Sequence, residues 1–475
     1  MKKRIIVVVF AGISLFFSSC KTPEIVSKTE NKNLPETFDA GVAAKETKPF
    51  DWKVYFDDPY LVALIDTALK NNQELNIMRQ EIAIAQNEVM ARKGEYLPFV
   101  GYRAGAGVEK AARYTNIGAM EATTEMKPGR EMPEPVPDVV GGLYANWEID
   151  IWHKLRNAKK AAAVRYMASQ EGRNFMTTSL IAEIANAYYE LTALDNQLEI
   201  LKQNIDIQSN ALDIVKIQKA GSQVTELAVK KFEAEVFKTR SLQFDIQQRI
   251  VETENEINFL VGRYPSPILR SSAEFGLLIP DYPDAGIPAQ LLTNRPDVRQ
   301  AELKLEAAKI DVQVARANFY PSLGISANLG LQAFNPLYLA KLPESLLGSL
   351  AGDLAGPLIN KRAITATYLN ANAAQIQSVY NYERTVLNAY LEVVNQLSKI
   401  KNLKSSFDLK SQQVEALNSS IGFASILFKN ARADYMEVLM TQRDALESRF
   451  DLVDTKKEQM NARVNLYRAL GGGWN

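Results

Sequence analysis

The chain has 475 residues, with 55 basic and 55 acidic side chains and a formal net charge of zero. That balance excludes the basic excess expected of a nucleic-acid binder. Hydrophobic residues make up 47%, ample for a core, yet no apolar run reaches the roughly 18 residues that a membrane-spanning helix requires.

The first element is an export signal. Lys2, Lys3 and Arg4 precede "IIVVVFAGISLFF", an apolar stretch of about 13 residues, too short to span a bilayer. "SSC" follows, and Cys20 is the only cysteine of the chain. Small residues ahead of a cysteine at this point resemble a bacterial lipobox, although Phe17 is unusual in that pattern. Cys20 is then the lipidated first residue of the mature protein. An ordinary signal peptide with an incidental cysteine is the alternative. Lys21, not aspartate, comes next, so no signal for retention in the inner membrane is present. Residues 1–19 are thus a signal and 20–60 a lipid-anchored linker.

Two repeats follow, at 61–262 and 289–473, separated by a proline-rich linker at 263–288. Each reads as helix, strand, strand, helix, helix. In the first, a helix over 61–95 meets Pro98 and changes to a strand. A second strand runs around Asn146, and helices cover 157–219 and 224–261 with a tip near Gly221. In the second, a helix over 289–319 meets Pro321 and changes to a strand. A weaker strand lies at about 348–358, and helices cover 363–430 and 435–470 with a tip near Ala431. Residues 138–264 and 358–475 contain no proline, as long helices require. Their apolar residues recur at threes, fours and sevens, as at Val386, Tyr390, Val393 and Leu397. "NAYYEL" at 186 matches "NAYLEV" at 388, and "LPFVGY" at 97 matches "YPSLGI" at 320.

The strands alternate. Val100, Tyr102, Ala104, Ala106 and Val108 form one apolar set; Leu143, Ala145, Trp147, Ile149 and Ile151 form a second. Leu323, Ile325, Ala327, Leu329 and Leu331 form a third, and Leu350, Leu354 and Leu358 a fourth, set against Asp353. Strands of about ten residues can cross a bilayer when tilted, although a soluble sheet with one wet face gives the same alternation. Lipid cannot satisfy an open strand edge, and four strands cannot close on themselves. On the membrane reading several copies must pool their strands, giving eight, twelve or sixteen from two, three or four chains. Each proline then marks the passage from a water-exposed helical tube into a lipid-embedded sheet.

"IPAQLLTNRPDVRQAELKLEAAKIDVQVARANFYPSLGISANLG" at 287–330, "WEIDIWHKLR" at 147–156 and the paired helix motifs resemble the outer-membrane efflux proteins, the TolC-like exit ducts, and within them the lipoprotein branch. The resemblance spans nearly all of 50–473. It implies a mainly α protein with a membrane β-barrel: a homotrimer with a twelve-stranded barrel and a periplasmic tube of long helical hairpins. It also implies partners, a periplasmic adaptor and an inner-membrane efflux transporter. The family closes its periplasmic end at the inner hairpin of the second repeat, often with acidic residues. That segment here is "NARADYMEVLMTQRD", placing Asp434 and Glu437 at the aperture, while Met440 stands where many members carry aspartate. Gly221, Val224, Glu226, Ala431 and Arg432 are the candidate adaptor-contact residues, and Gly221 is expected to supply a left-handed turn. Trp147 and Trp152 fit either an interfacial aromatic belt or packing at the strand–helix junction.

Other classes fare worse. His153, the sole histidine, follows a strand and has no evident catalytic partner, and no phosphate loop, dinucleotide fingerprint or metal-ligand spacing is present. No cofactor is expected beyond lipid on Cys20. Met120, Met126 and Met132 share one loop, and thioethers bind Cu(I); scattered methionines in an exposed loop are the plainer reading. An exit duct for drugs or other small molecules, an exit duct for type I protein secretion, and a poreless periplasmic coiled-coil scaffold remain.

Overall fold

A computed structural model describes residues 22–38, 51–272, 275, 286–430, 432–472 and 474. The signal segment, Cys20 and Ala431 lie outside the described residues, as does part of the proline-rich linker.

The first half opens with α1 (Trp52–Tyr55), α2 (Pro59–Asn71) and α3 (Gln73–Tyr96). The single helix expected over 61–95 is therefore broken, and Asn72 breaks it. Its Oδ1 accepts from the Leu75 N–H at 3.0 Å, capping α3, and its Nδ2 donates to the Leu260 carbonyl at 2.8 Å. Then come β1 (Phe99–Glu109), α4 (Asn116–Thr123), a short hairpin of β2 (Glu125–Lys127) and β3 (Arg130–Glu131), and β4 (Val136–Ile149). Two long helices, α5 (Lys154–Ala220) and α6 (Glu226–Val261), complete the half. The second half has α7 (Leu291–Asn294), α8 (Pro296–Ala317), β5 (Ser322–Ala333), β6 (Leu346–Ala355), α9 (Arg362–Lys429) and α10 (Tyr435–Ala469). The helix expected over 289–319 is interrupted at Arg295, because Pro296 forces the preceding residue into an extended conformation.

Two strands also differ from expectation. β4 ends at Ile149, so Ile151 falls outside it, because Asp150 is committed to the start of α5. Its Oδ1 and Oδ2 accept from the Leu155 and Arg156 N–H groups at 3.0 and 2.9 Å. β6 ends at Ala355, which removes Leu358 and adds Leu346 to the apolar set.

The chain divides into two compact units, whose boundaries fall within α3, α5, α8 and α9. The first unit contains residues 22–29, 83–167 and 303–380. Besides the β2-β3 hairpin it holds a four-stranded antiparallel sheet in the order β1-β4-β5-β6. The register pairs Tyr102 with Leu143, Leu143 with Leu329, and Ala327 with Leu350. Directly paired residues share a face, so the four apolar sets coincide. Arg103, Asn146, Asn328 and Asp353 take the opposite face. Beside the sheet, Ala161 and Val164 of α5 pack on Ala307 and Ile310 of α8. Ile25 packs against a second cluster of Ala315, Phe319 and Tyr368.

The second unit contains residues 30–82, 168–302 and 381–475. Its main core joins Phe56, Leu61 and Ile65 to Ile181, Tyr188 and Leu191 of α5, Ile257 and Val261 of α6, and Met460, Val464 and Tyr467 of α10. Burying each large side chain here contributes roughly 1.5–3 kcal/mol. The repeat is visible in its joints. Gly262 ends α6 with φ +78, against Asn71, and Gly471 follows α10 with φ +83, against Asn294. Where Asn72 holds the end of α6, Arg295 holds the end of α10, donating to the Ala469 carbonyl at 2.9 Å and to Asp297 and Glu392.

Candidate functional site

Two hairpin tips and one sheet carry the candidate functional residues. At the first tip α5 runs out at Ala220, and the turn is closed by N–H donation from Ser222 to Lys219 and from Gln223 to Gln218, each at 2.9 Å. Ser222 is the residue with positive φ, +61. Gly221 does not supply the left-handed turn: the sharp reversal falls one residue later. Glu226 opens α6 and pairs with Lys219 across the turn and with Lys230 at 3.9 Å. The hydrogen bond from Lys219, aided by the charges of both lysines, holds its carboxyl below the usual range. Glu226 thus bridges the turn. Val224 is half-buried.

At the second tip Arg432 donates its N–H to the Leu427 carbonyl at 2.8 Å, and the Asn430 side chain donates to Ile426 at 2.8 Å. Asp434 occupies the N-cap position of α10 in an extended conformation but makes no side-chain capping bond. Its carboxylate and that of Glu437 both face solvent, one turn apart, with Met440 next along the exposed side.

The structure brings the tips together. Val224 and Thr225 from the first, and Phe428, Asp434 and Tyr435 from the second, line one cleft of about 660 Å³. Beneath it Val224, Phe428 and Tyr435 rest on a core of Leu212, Val215, Val229, Phe232 and Leu439. Sequence reasoning missed Ile217 and Leu227, which flank the first turn and are 74% and 59% exposed. The available signal was an isoleucine and a leucine at positions where the seam pattern asks for polar residues.

In the sheet, the apolar face is uncovered: Tyr102, Leu329, Leu350 and Leu354 are all more than half exposed. Among the described residues β1 and β6 each have a neighbour on one side only. Both tryptophans lock strand–helix junctions. Trp147 donates its indole N–H to the Tyr96 carbonyl at 3.2 Å, and Trp152 donates to Pro321 at 2.7 Å while stacking on Tyr320 at 4.7 Å. Each keeps part of its ring exposed. His153, directly after Trp152, turns the chain into α5 with φ +59. Met120 is exposed on α4, and Met126 and Met132 are half-buried in the β2–β3 region. Among the described residues no group of three or more His, Cys, Asp and Glu side chains could hold a metal.

An amphipathic four-stranded sheet whose strands enter the chain as two pairs, each followed by two long helices, is a specific arrangement, and the family model for outer membrane efflux protein matches residues 64–263 and 287–472. The chain belongs to the outer membrane efflux protein family. It is an outer-membrane duct, working as one component of a multi-protein efflux system. The pyoverdine export outer membrane protein OpmQ of Pseudomonas aeruginosa is 27% identical over 423 residues, covering 89% of this chain and 87% of that protein. The cation efflux system protein CusC of Escherichia coli is 25% identical over 435 residues, covering 91% and 90%. Among solved structures, the open state of the Neisseria gonorrhoeae MtrE outer membrane channel superposes with a TM-score of 0.82 at 22% identity, covering 96% of this chain and 98% of that one. That likeness fixes the fold. The relatives' own names cover different cargoes.

Proposed function

We propose that this outer membrane efflux protein is a homotrimer whose strands close a twelve-stranded barrel and whose helices form the periplasmic conduit. It passes small molecules outward from an inner-membrane efflux transporter through a periplasmic adaptor. The carrying observation is the sheet: an uncovered apolar face bounded by two free edges. β1 and β6 run in opposite directions, so copies joined edge to edge remain antiparallel throughout, and lipid demands that the edges be joined.

Small-molecule cargo is favoured over secreted protein because the relatives' names speak of pyoverdine, solvent and cation export. The duct is passive and non-enzymatic; selectivity resides chiefly in its partners. Ile217 and Leu227 join Val224, Glu226 and Arg432 as adaptor contacts, presenting apolar surface beside charge. Lipid on Cys20 anchors the chain to the outer membrane. Asp434 and Glu437, repeated around the symmetry axis, bias the aperture toward cations.

The test is a purified full-length protein in planar lipid films. Stepwise conductance from a trimer supports the reading, and a water-soluble monomer with no conductance refutes it. Deletion should sensitise cells to dyes, detergents or antibiotics while leaving secreted proteins unchanged; the reverse favours protein secretion. Glu437→Ala should lower cation preference, and unchanged selectivity would count against the aperture role.

A further inference from the structure

Most of the seam between α5, α6 and α10 is apolar. Leu194, Leu201, Ile246 and Leu446 form one cluster, with Leu242 and Phe450 against it. Nearer the tip, Leu212, Val236 and Leu439 belong to the next. Between the two clusters the pattern fails. Asn204, Gln208 and Gln442 stand where leucines would be expected, and they are 3%, 1% and 3% exposed. Helical spacing fixes their level from both sides: 204 and 208 lie between Leu201 and Leu212, and 442 lies between Leu439 and Leu446. The Asn204 Oδ1, both polar atoms of Gln208, the Gln442 Oε1 and the Ser209 Oγ have no hydrogen-bond partner among the described residues. α6 offers no hydroxyl donor to the amide oxygens at this level, since the Thr239 hydroxyl already donates to the Glu235 carbonyl at 2.9 Å.

An unsatisfied buried polar atom costs about 1–3 kcal/mol, so a layer of them needs partners. Asn204, Gln208 and Gln442 are almost wholly enclosed by their own chain, so a partner must be small enough to fit between the helices. The set mixes an N–H₂ donor with several carbonyl acceptors. A metal ion would use the acceptors and be repelled by the donor; an anion would do the reverse. Water serves both.

We propose that Asn204, Gln208 and Gln442 form an internal site for bound water, and that this hydrated layer divides the hairpin bundle into a stable body on the Leu201 side and a separately opening tip on the Leu212 side. Water bridges exchange partners with little cost, whereas an interlocked leucine layer must be broken outright. The tip can therefore open without unfolding the body. Opening bears on transport only through the proposed function; the layer itself does not depend on it.

Hydrogen exchange on the full-length protein in detergent, comparing wild type with Gln208→Leu/Gln442→Leu, tests the proposal. Filling the layer should slow exchange of amides in 212–236 at least tenfold and leave those in 184–194 unchanged. A high-resolution density map of the wild type should show water within hydrogen-bonding distance of the Gln208 amide. Unchanged or faster exchange at the tip, or amides bonded directly to one another around a dry layer, overturns it. Gln442→Met, close in volume, supplies the same comparison if the double variant does not fold. Slowed exchange with unaltered conductance would uphold the layer and count instead against the tip as the duct's entrance.

Discussion

Gly262 and Gly471 perform one task in two places. Each reverses the chain at a helix end, and a Cβ at either would lie 2.5 Å from a backbone carbonyl, of Asn71 and Asn294 respectively. Gly262→Ala and Gly471→Ala should each cost roughly 1–3 kcal/mol in backbone strain alone, read as a lower melting temperature in detergent; an unchanged melting temperature would refute the assignment. Ser222 is the opposite case. It adopts a left-handed conformation unsuited to a side chain, so Ser222→Gly should stabilise the first tip by about 1 kcal/mol, whereas Gly221→Ala should be tolerated, since its Cβ would meet only ordinary contacts at 3.6 Å and beyond. Asp150 carries a pH dependence. Burial raises its pKa, but the N–H groups of Arg156 and Leu155 and the Arg156 guanidinium outweigh burial and hold it below its ordinary 3.8. A carboxyl lowered by folding contributes stability above its unfolded pKa and loses it as pH falls through the folded value. The junction should therefore hold at pH 5 and weaken below about 4, and Asp150→Asn should flatten that acid limb in a pH series of melts.

Among elements, the helices were largely legible because a heptad pattern survives any tertiary context. The break at Asn72 was not, whereas the one at Arg295 is written in Pro296. Asn72 was legible only as a polar residue in a polar stretch; its role depends on the Leu260 carbonyl, 188 positions away. Arg295 likewise depends on Ala469. The N-terminal strap was also missed, since it has no periodicity. Within the first unit Gln375 donates toward the Lys28 carbonyl at 3.4 Å and Lys28 sits over Tyr380. Within the second, Lys32 pairs with Glu302 at 2.6 Å and Phe38 stacks on Tyr390 at 5.5 Å. Lys32 and Glu302 are half-exposed, and such pairs contribute at most about 1 kcal/mol. Lys32→Ala should therefore leave the strap in place, whereas Phe38→Ala should release it. Limited proteolysis within residues 22–38 distinguishes the two, and equal protection in both variants would show that the ring contact is dispensable.

At the scale of the molecule, the sheet's register matters most. It divides neighbours in sequence between two solvents. Leu329→Arg places a charge on the apolar face and should cost about 2–4 kcal/mol near the bilayer midplane, abolishing membrane-inserted oligomer. Asn328→Arg, one residue away, should insert normally and alter only conductance. Equal insertion of both variants would refute the lipid-facing assignment.

The sequence by itself determined the repeat, the main helix and strand types, the alternation of each strand of the four-stranded sheet and the family, because these depend on local periodicity and on motifs that no distant contact can erase. Tertiary structure decided what depends on meeting: that four apolar sets share one face, that the two tips make one cleft, that Asn72 and Arg295 hold distant helix ends, and that Asn204, Gln208 and Gln442 are enclosed at one level. A polar residue's role is set by the partner it finds, and a chain read residue by residue carries no record of which partner that is.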